Sequence, residues 1–296
     1  MKKILITIAA VLALAVSAQA VTPEQATAAK QILAKNGNAV IEVNTILKIE
    51  LPGQPSRDQK LEILGTVIDE SGLTIVSNSA IDPLSMMKGQ FPDGMEPKIK
   101  YSDVKFKMSD NKEIPARVVL KDADLDLAFL VPTPKEGETV PKFQAVALDA
   151  KVEAAILDNV FNLTRLPKSL DRQVSVELGY ISAVIQKPRR FYSYETIGGG
   201  QVGIPSFTAD GKALGLCLLR KEPASEASGS RPQMSTVVVP SSDILELVPQ
   251  AQAKAKEAPA PEPKEEAKPE AKADDAAAKD AAKEAAPAGD VKVEVK

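Results

Sequence analysis

The sequence predicts an all-β protein, a sandwich or a pair of barrels, with one helix ahead of it and a disordered tail behind. Three observations carry that expectation. Apolar, β-branched runs recur between Ala39 and Val239, polar turn signals separate them, and helix signals are confined to the ends of the body. The body, from about Thr22 to Pro249, is large for one small barrel and suits two.

Residues 1–20 read as a signal peptide. Lys2 and Lys3 form a basic start, Ile4 to Val16 an apolar stretch too short to span a bilayer, and Ala18-Gln19-Ala20 a small-residue cleavage site. This predicts export to the periplasm or the extracellular space, with no integral membrane segment after signal removal. Segment 21–37 reads as a helix. Thr22 is placed to be its N-cap, Pro23 its first residue and Gln25 the partner in a capping box, and Asn36-Gly37 is expected to stop it. Strands follow at Ala39–Glu50, Leu61–Ile68, Leu73–Val76, Lys105–Met108, Ala116–Leu120, Leu127–Val131, Val174–Val184, Ala213–Leu219 and Thr236–Val239. Glu70-Ser71-Gly72, Ser109-Asp110-Asn111 and Asp210-Gly211 mark turns between them. Segment 251–296 is mostly Ala, Lys, Glu, Asp and Pro. It offers too little apolar surface to offset its ordering entropy and is expected to be a disordered spacer.

Composition excludes whole classes of chemistry. The 296 residues contain no His, one Cys and no Trp. Without histidine there is no Ser-His-Asp or Cys-His hydrolase, no HExxH zinc site and no facial triad. No cofactor is expected. A net charge of −3 argues against nucleic acid as a partner. Cys217 has no internal disulfide partner and reads as a small buried apolar residue.

Five stretches, in order, resemble one family. Leu64 to Ile81 (LGTVIDESGLTIVSNSAI) resembles the first-barrel signature of trypsin-like serine proteases of the bacterial Deg/HtrA type, G-S-G-F-I-I-D-x-x-G-Y-I-L-T-N-x-H-V-V. Ala116 to Leu130 (ARVVLKDADLDLAFL) resembles the family's A-x-V-V-x-x-D-x-x-x-D-L-A-V-L stretch, and Gly179 to Ala183 its G-I-V-S-A strand. Gly200 to Pro205, then Asp210 to Leu216, falls where the family has G-N-S-G-G-P and D-G-x-V-I-G-I, and Val237 to Ser241 resembles its closing A-I-P-S. The resemblance implies two packed six-stranded antiparallel β-barrels, at 38–138 and 139–250; the PDZ domain that the family often carries is not expected here.

The same resemblance implies a triad without its chemistry. The position of the base His corresponds to Ser79, that of the nucleophilic Ser to Val202, and only the orienting Asp is retained, as Asp126. In the family His takes the serine proton and returns it to the leaving group, and neither partner is present here. Asp126 then has two readings: a remnant that accepts a hydrogen bond from Ser79 across the barrel junction, or an ordinary Asp opening a buried strand. The loop of Gly200, Gln201 and Val202 also has two. It is a remnant oxyanion hole whose backbone N–H groups still bind a carbonyl or carboxylate, or a collapsed loop filled by Val202 and Ile204. A slipped alignment would offer Ser206 as nucleophile.

Other motifs read as incidental. Ser85-Met86-Met87-Lys88 and Ser109-Asp110-Asn111 fit S-x-x-K and S-D-N, but no K-T-G follows. Asp122, Asp124 and Asp126 lack the glycine and distal Glu of a calcium loop and read as a solvated edge. Lys187 to Tyr194 is a basic, aromatic loop, either a contact for an anionic partner or a hairpin tip covering the barrel. The long loop from Ile81 to Ile99 carries Met86, Met87, Phe91 and Met95, suited to a lid, a partner contact or packing over a barrel mouth. The expected function is a protein- or peptide-binding or scaffolding pseudoprotease. The alternatives are a hydrolase with Ser-Lys chemistry and a structural envelope protein.

Overall fold

The alternation of Val40–Glu50 builds a strand that sends Val43 and Leu47 wholly inside, and the rest of the fold follows from such pairings. A computed structural model describes residues 21–53, 55–84, 98–134, 137–196, 200–221 and 234–257. Helix α1 (Pro23–Asn36) leads through a 3₁₀ turn (Gly37–Ala39) into β1 (Val40–Glu50), β2 (Arg57–Val67) and β3 (Thr74–Ser77). A single helical turn, α2 (Asn78–Ile81), precedes β4 (Lys98–Lys107), β5 (Glu113–Asp122) and β6 (Leu127–Pro132). The second half holds β7 (Asn159–Arg165), β8 (Val174–Ile185), β9 (Phe191–Thr196), β10 (Ile204–Thr208), β11 (Ala213–Lys221), β12 (Met234–Pro240) and α3 (Ser241–Lys256).

The strands close into two antiparallel six-stranded barrels, β1-β2-β3-β6-β5-β4 and β10-β11-β12-β9-β8-β7. Closure leaves neither sheet with an open edge. Close approach is sometimes met by glycine: a Cβ at Gly65 would lie 2.9 Å from both Thr74 and Val76 of the neighbouring strand. Ile41, Val43, Val67, Val76 and Phe106 fill the first barrel. Val160, Phe161, Leu163, Phe207 and Cys217 belong to the core of the second. Between them Leu73, Ile75, Leu127 and Phe129 meet Leu216, Leu218, Val237 and Val239 in a shared core. Each such side chain contributes about 1.5–3 kcal/mol on burial, so this shared core fastens the barrels along part of their seam.

The two terminal helices cross over. α1 precedes the first barrel yet buries Ala28 and Ile32 in the core of the second. α3 follows the second barrel and brings Ile244 and Ala251 into the shared core beside Leu120. Arg117 of β5 then closes its C-terminus, donating from Nη2 to the carbonyls of Ala255 and Glu257 at 2.8 Å each. Those are the acceptors a helix end leaves without intrahelical partners. No helix among the described residues is long and apolar enough to cross a membrane.

The capping box of α1 forms as expected, with Thr22 Oγ1 accepting from Gln25 N at 3.2 Å. The helix also ends where Asn36-Gly37 was expected to stop it, with Gly37 as its C-cap at φ −55° leading right-handed into the 3₁₀ turn. Three expectations need correction. The segment assigned to the tail from Ala251 is helical to Lys256, because Ala251 is fully buried and Arg117 holds the end. Helix is not confined to the ends of the body, since α2 sits inside the first barrel's sequence. Within Lys187–Tyr194, Phe191 onward is strand β9, and Phe191, Tyr192 and Tyr194 are buried. The proposed signal peptide, Ser85-x-x-Lys88, most of the Met-containing loop and the chain beyond 257 lie outside the described residues.

Candidate functional site

Ser77 ends β3 and caps α2, its Oγ accepting from Ala80 N at 3.1 Å. That turn presents Ser79 to the loop between β5 and β6. There Asp122 Oδ1 accepts from Leu125 N at 2.8 Å and shapes the turn that delivers Asp126. Asp126 has φ +59°, a left-handed conformation that Asp and Asn tolerate better than most side chains. Its backbone carbonyl accepts from Asn78 N at 2.8 Å, tying the two segments together.

The Asp126 carboxylate is 3 % exposed and receives four hydrogen bonds. Oδ1 accepts from Ser79 N at 2.7 Å and from Ser79 Oγ at 2.6 Å. Oδ2 accepts from Ser77 Oγ at 2.6 Å and, across the seam, from Leu219 N of β11 at 2.9 Å. Three donors come from the first barrel and one from the second. Ser79 does donate to Asp126, but within the first barrel; the bond that crosses the junction comes from Leu219 N instead. Of the three aspartates read as a solvated edge, Asp124 is exposed and Asp122 half-buried, but Asp126 is buried and does not belong to that edge.

The loop of Gly200, Gln201 and Val202 reaches the same seam. Gly203 has φ +78° and both backbone groups occupied: its N–H donates to Cys217 O and its carbonyl accepts from Thr66 Oγ1, each at 2.8 Å. A Cβ there would lie 2.3 Å from Leu64 O and 3.5 Å from Ser77 N. The loop of the second barrel is thus seated on β2 and β3 of the first, beside the serine that holds Asp126. Gln201 accepts from Thr164 Oγ1, and Gly200 lies tight against Thr236. Val202 is half-buried, whereas Ile204 is wholly buried in the second barrel's core. Ser206 is equally buried within β10, and its hydroxyl makes no hydrogen bond among the described residues.

Ser77 and Leu219 were not singled out by the sequence. Ser77 carries a findable signal, since a serine three residues before Ala80 fits an N-cap. Leu219 acts through its N–H and has no side-chain signature. Ser109-Asp110-Asn111 is the β4–β5 turn, with Asn111 at φ +63° and Asp110 Oδ1 accepting from Lys112 N at 3.0 Å, and forms no part of the site.

A second polar group lies inside the second barrel. Ser206 pairs with Asn162, and Asn162 with Glu177, across β10, β7 and β8. Cys217 Sγ lies 3.6 Å from Asn162 Oδ1, and burial pushes its thiol up to about 12. Burial also raises Tyr194 and Glu177, the latter partly offset by a hydrogen bond from Thr196. Farther along the seam Glu42 is bridged by Arg172 at 2.7 Å. Buried Arg165 donates to the carbonyls of Val40 at 2.5 Å and Arg172 at 3.1 Å.

Two closed six-stranded antiparallel barrels with Asp126 at their junction fit a chymotrypsin-like fold. No family model matches the chain, and no curated protein matches it either.

Proposed function

We propose that the chain is an exported, catalytically inactive relative of Deg/HtrA-type serine proteases that binds extended polypeptide in the cleft between its barrels. The observation that carries this reading is the bond between Ser79 and Asp126. A serine stands where the resemblance would place the base, and it bonds the retained carboxylate through both N–H and Oγ at 2.7 and 2.6 Å. A neutral serine hydroxyl is far too weak a base to take a proton from a nucleophile as imidazole does. Val202 offers no nucleophile, and Ser206, the substitute a slipped alignment would supply, is sealed inside β10. The carboxylate is turned from orienting a base to fastening two barrels, while the seam that would face a substrate persists.

The test is binding without turnover. A fluorescent extended peptide is titrated with the full chain and followed by anisotropy, then checked for cleavage. Saturable binding, weakened about tenfold by Val202→Glu, with the peptide left whole, is expected. Cleavage of the peptide, or no saturable binding by any of a set of varied sequences, overturns the reading.

A further inference from the structure

The loop entering β7 holds a leucine in a state that folding alone does not favour. Leu157 has φ +69°, where a side chain costs about 1–2 kcal/mol relative to ordinary backbone. Glycine or asparagine would meet the turn with less strain. Burial usually offsets such a cost, yet Leu157 is 73 % exposed and gains almost none. The conformation is nonetheless firmly held. Leu157 N donates to Ile181 O at 2.8 Å, Ile181 N to Asp158 O at 3.0 Å, and Asp158 Oδ2 accepts from Ala155 N at 2.7 Å. The adjacent Ile156 is 60 % exposed, and Tyr180, the residue before Ile181 on β8, 45 %.

Beside this turn lies a cleft of about 670 Å³. Leu157, Val152 and Ala209 give it apolar surface. Asp149, Glu153, Asp158 and Asp210 outnumber Lys151 and Lys212 around it. Lys212 pairs with Asp210 at 2.8 Å and Arg190 with Glu153. Asp149 and Asp158 accept from backbone N–H groups of their own loop, with no lysine or arginine in salt-bridge range among the described residues. An apolar centre inside a charged rim is the anatomy of a recognition surface, and the acidic surplus selects its partner's sign.

We infer that this end of the second barrel docks a polypeptide segment carrying an apolar side chain flanked by lysine or arginine. The rigid turn presents Leu157 to that side chain, and the carboxylates of Asp149 and Asp158 receive the flanking cations. The surface is separate from the seam around Asp126, so it stands whether or not the inter-barrel cleft binds peptide.

The experiment uses the full chain and two labelled hexapeptides, Leu-Val between paired lysines and the same pair between glutamates, read by anisotropy. The lysine peptide is expected to bind saturably and the glutamate peptide not. Leu157→Asn, which suits left-handed backbone, is expected to weaken binding about tenfold with the unfolding midpoint unchanged or raised. Ile156→Ser provides a second variant with ordinary backbone, and Val202→Glu is expected to leave this binding intact. Equal affinity for both peptides, no saturable binding, or full binding by both Leu157→Asn and Ile156→Ser overturns the inference. Concentration-dependent self-association abolished by Leu157→Asn also overturns it, by making a second copy the occupant.

Discussion

The backbone N–H of Leu219 donates across the seam to Asp126 Oδ2 at 2.9 Å, so one carboxylate oxygen belongs structurally to both barrels. The same oxygen accepts from Ser77 and its twin from Ser79 twice, which makes Asp126 the node that sets how β3, α2, β6 and β11 meet. Four donors on one buried carboxylate give Asp126 a part in stability that a substitution can measure.

Asp126→Asn isolates that role, since asparagine keeps the left-handed backbone and the size but brings an NH₂ where acceptors are needed. Hydrogen bonds to charged groups contribute about 1.5–3 kcal/mol each, and donors left orphaned in a buried site add to the loss. A fall of about 3 kcal/mol in urea unfolding is expected. A change below about 0.5 kcal/mol, the usual size for surface substitutions, would remove Asp126 from the account.

Gly203→Ala tests the seating of the loop on the first barrel. The new Cβ meets Leu64 O at 2.3 Å and occupies φ +78°, so strain and clash act together. The expected loss is about 3 kcal/mol, again by urea unfolding, whereas Gly53→Ala, at φ +73° with nothing within 4 Å, should lose only the strain. Equal losses for the two variants contradict the docked geometry.

Glu177 supplies a pH dependence with a definite sign. Burial raises its carboxyl above the ordinary value of 4.5 in the folded protein, so the folded state holds the proton more tightly than the unfolded one. That contribution is fully present below 4.5 and is lost as pH rises through the raised folded value. Tyr194 and Cys217 face the same interior, and burial keeps both protonated at neutral pH. Glu177→Gln is therefore expected to be more stable than the parent near neutral pH and to flatten the decline between 4.5 and neutrality. A steeper decline in the variant contradicts the assignment.

Cys217 should be unreactive while folded. Its thiol is wholly buried and pushed up to about 12, and thiolate is the reactive form. Alkylation at neutral pH is expected to follow global unfolding as denaturant is added. Labelling of the native protein at the rate of a free thiol would contradict the packing of the second barrel.

Much of this fold was legible because apolar residues either alternate with polar ones or run together. Val40–Glu50 and Ala213–Lys221 read as strands without help, and the Thr22 cap fixed where α1 begins. β7 escaped notice because Asn162 and Thr164 are polar yet fully buried, which breaks the pattern a core strand normally shows. β10 is five residues long and contains Pro205 and Ser206, and β9 sits directly behind Lys187-Pro188-Arg189-Arg190, a loop-like run. The end of α3 was hidden because Ala251 to Lys256 has a spacer's composition, and only Arg117, far away in sequence, gives its carbonyls partners. In the site, Ser79 and Asp126 could be paired from motif order. The fourth ligand of the carboxylate could not, because a backbone N–H leaves no trace in the sequence.

We propose a catalytically inactive site at the junction of the two barrels. Its most direct test is incubation of the purified full chain with a fluorophosphonate probe, which modifies only activated serines. No labelling above that of the denatured chain is expected, for the parent and for Ser79→Ala and Ser206→Ala alike. Stoichiometric labelling of the parent that one serine-to-alanine change abolishes would contradict it.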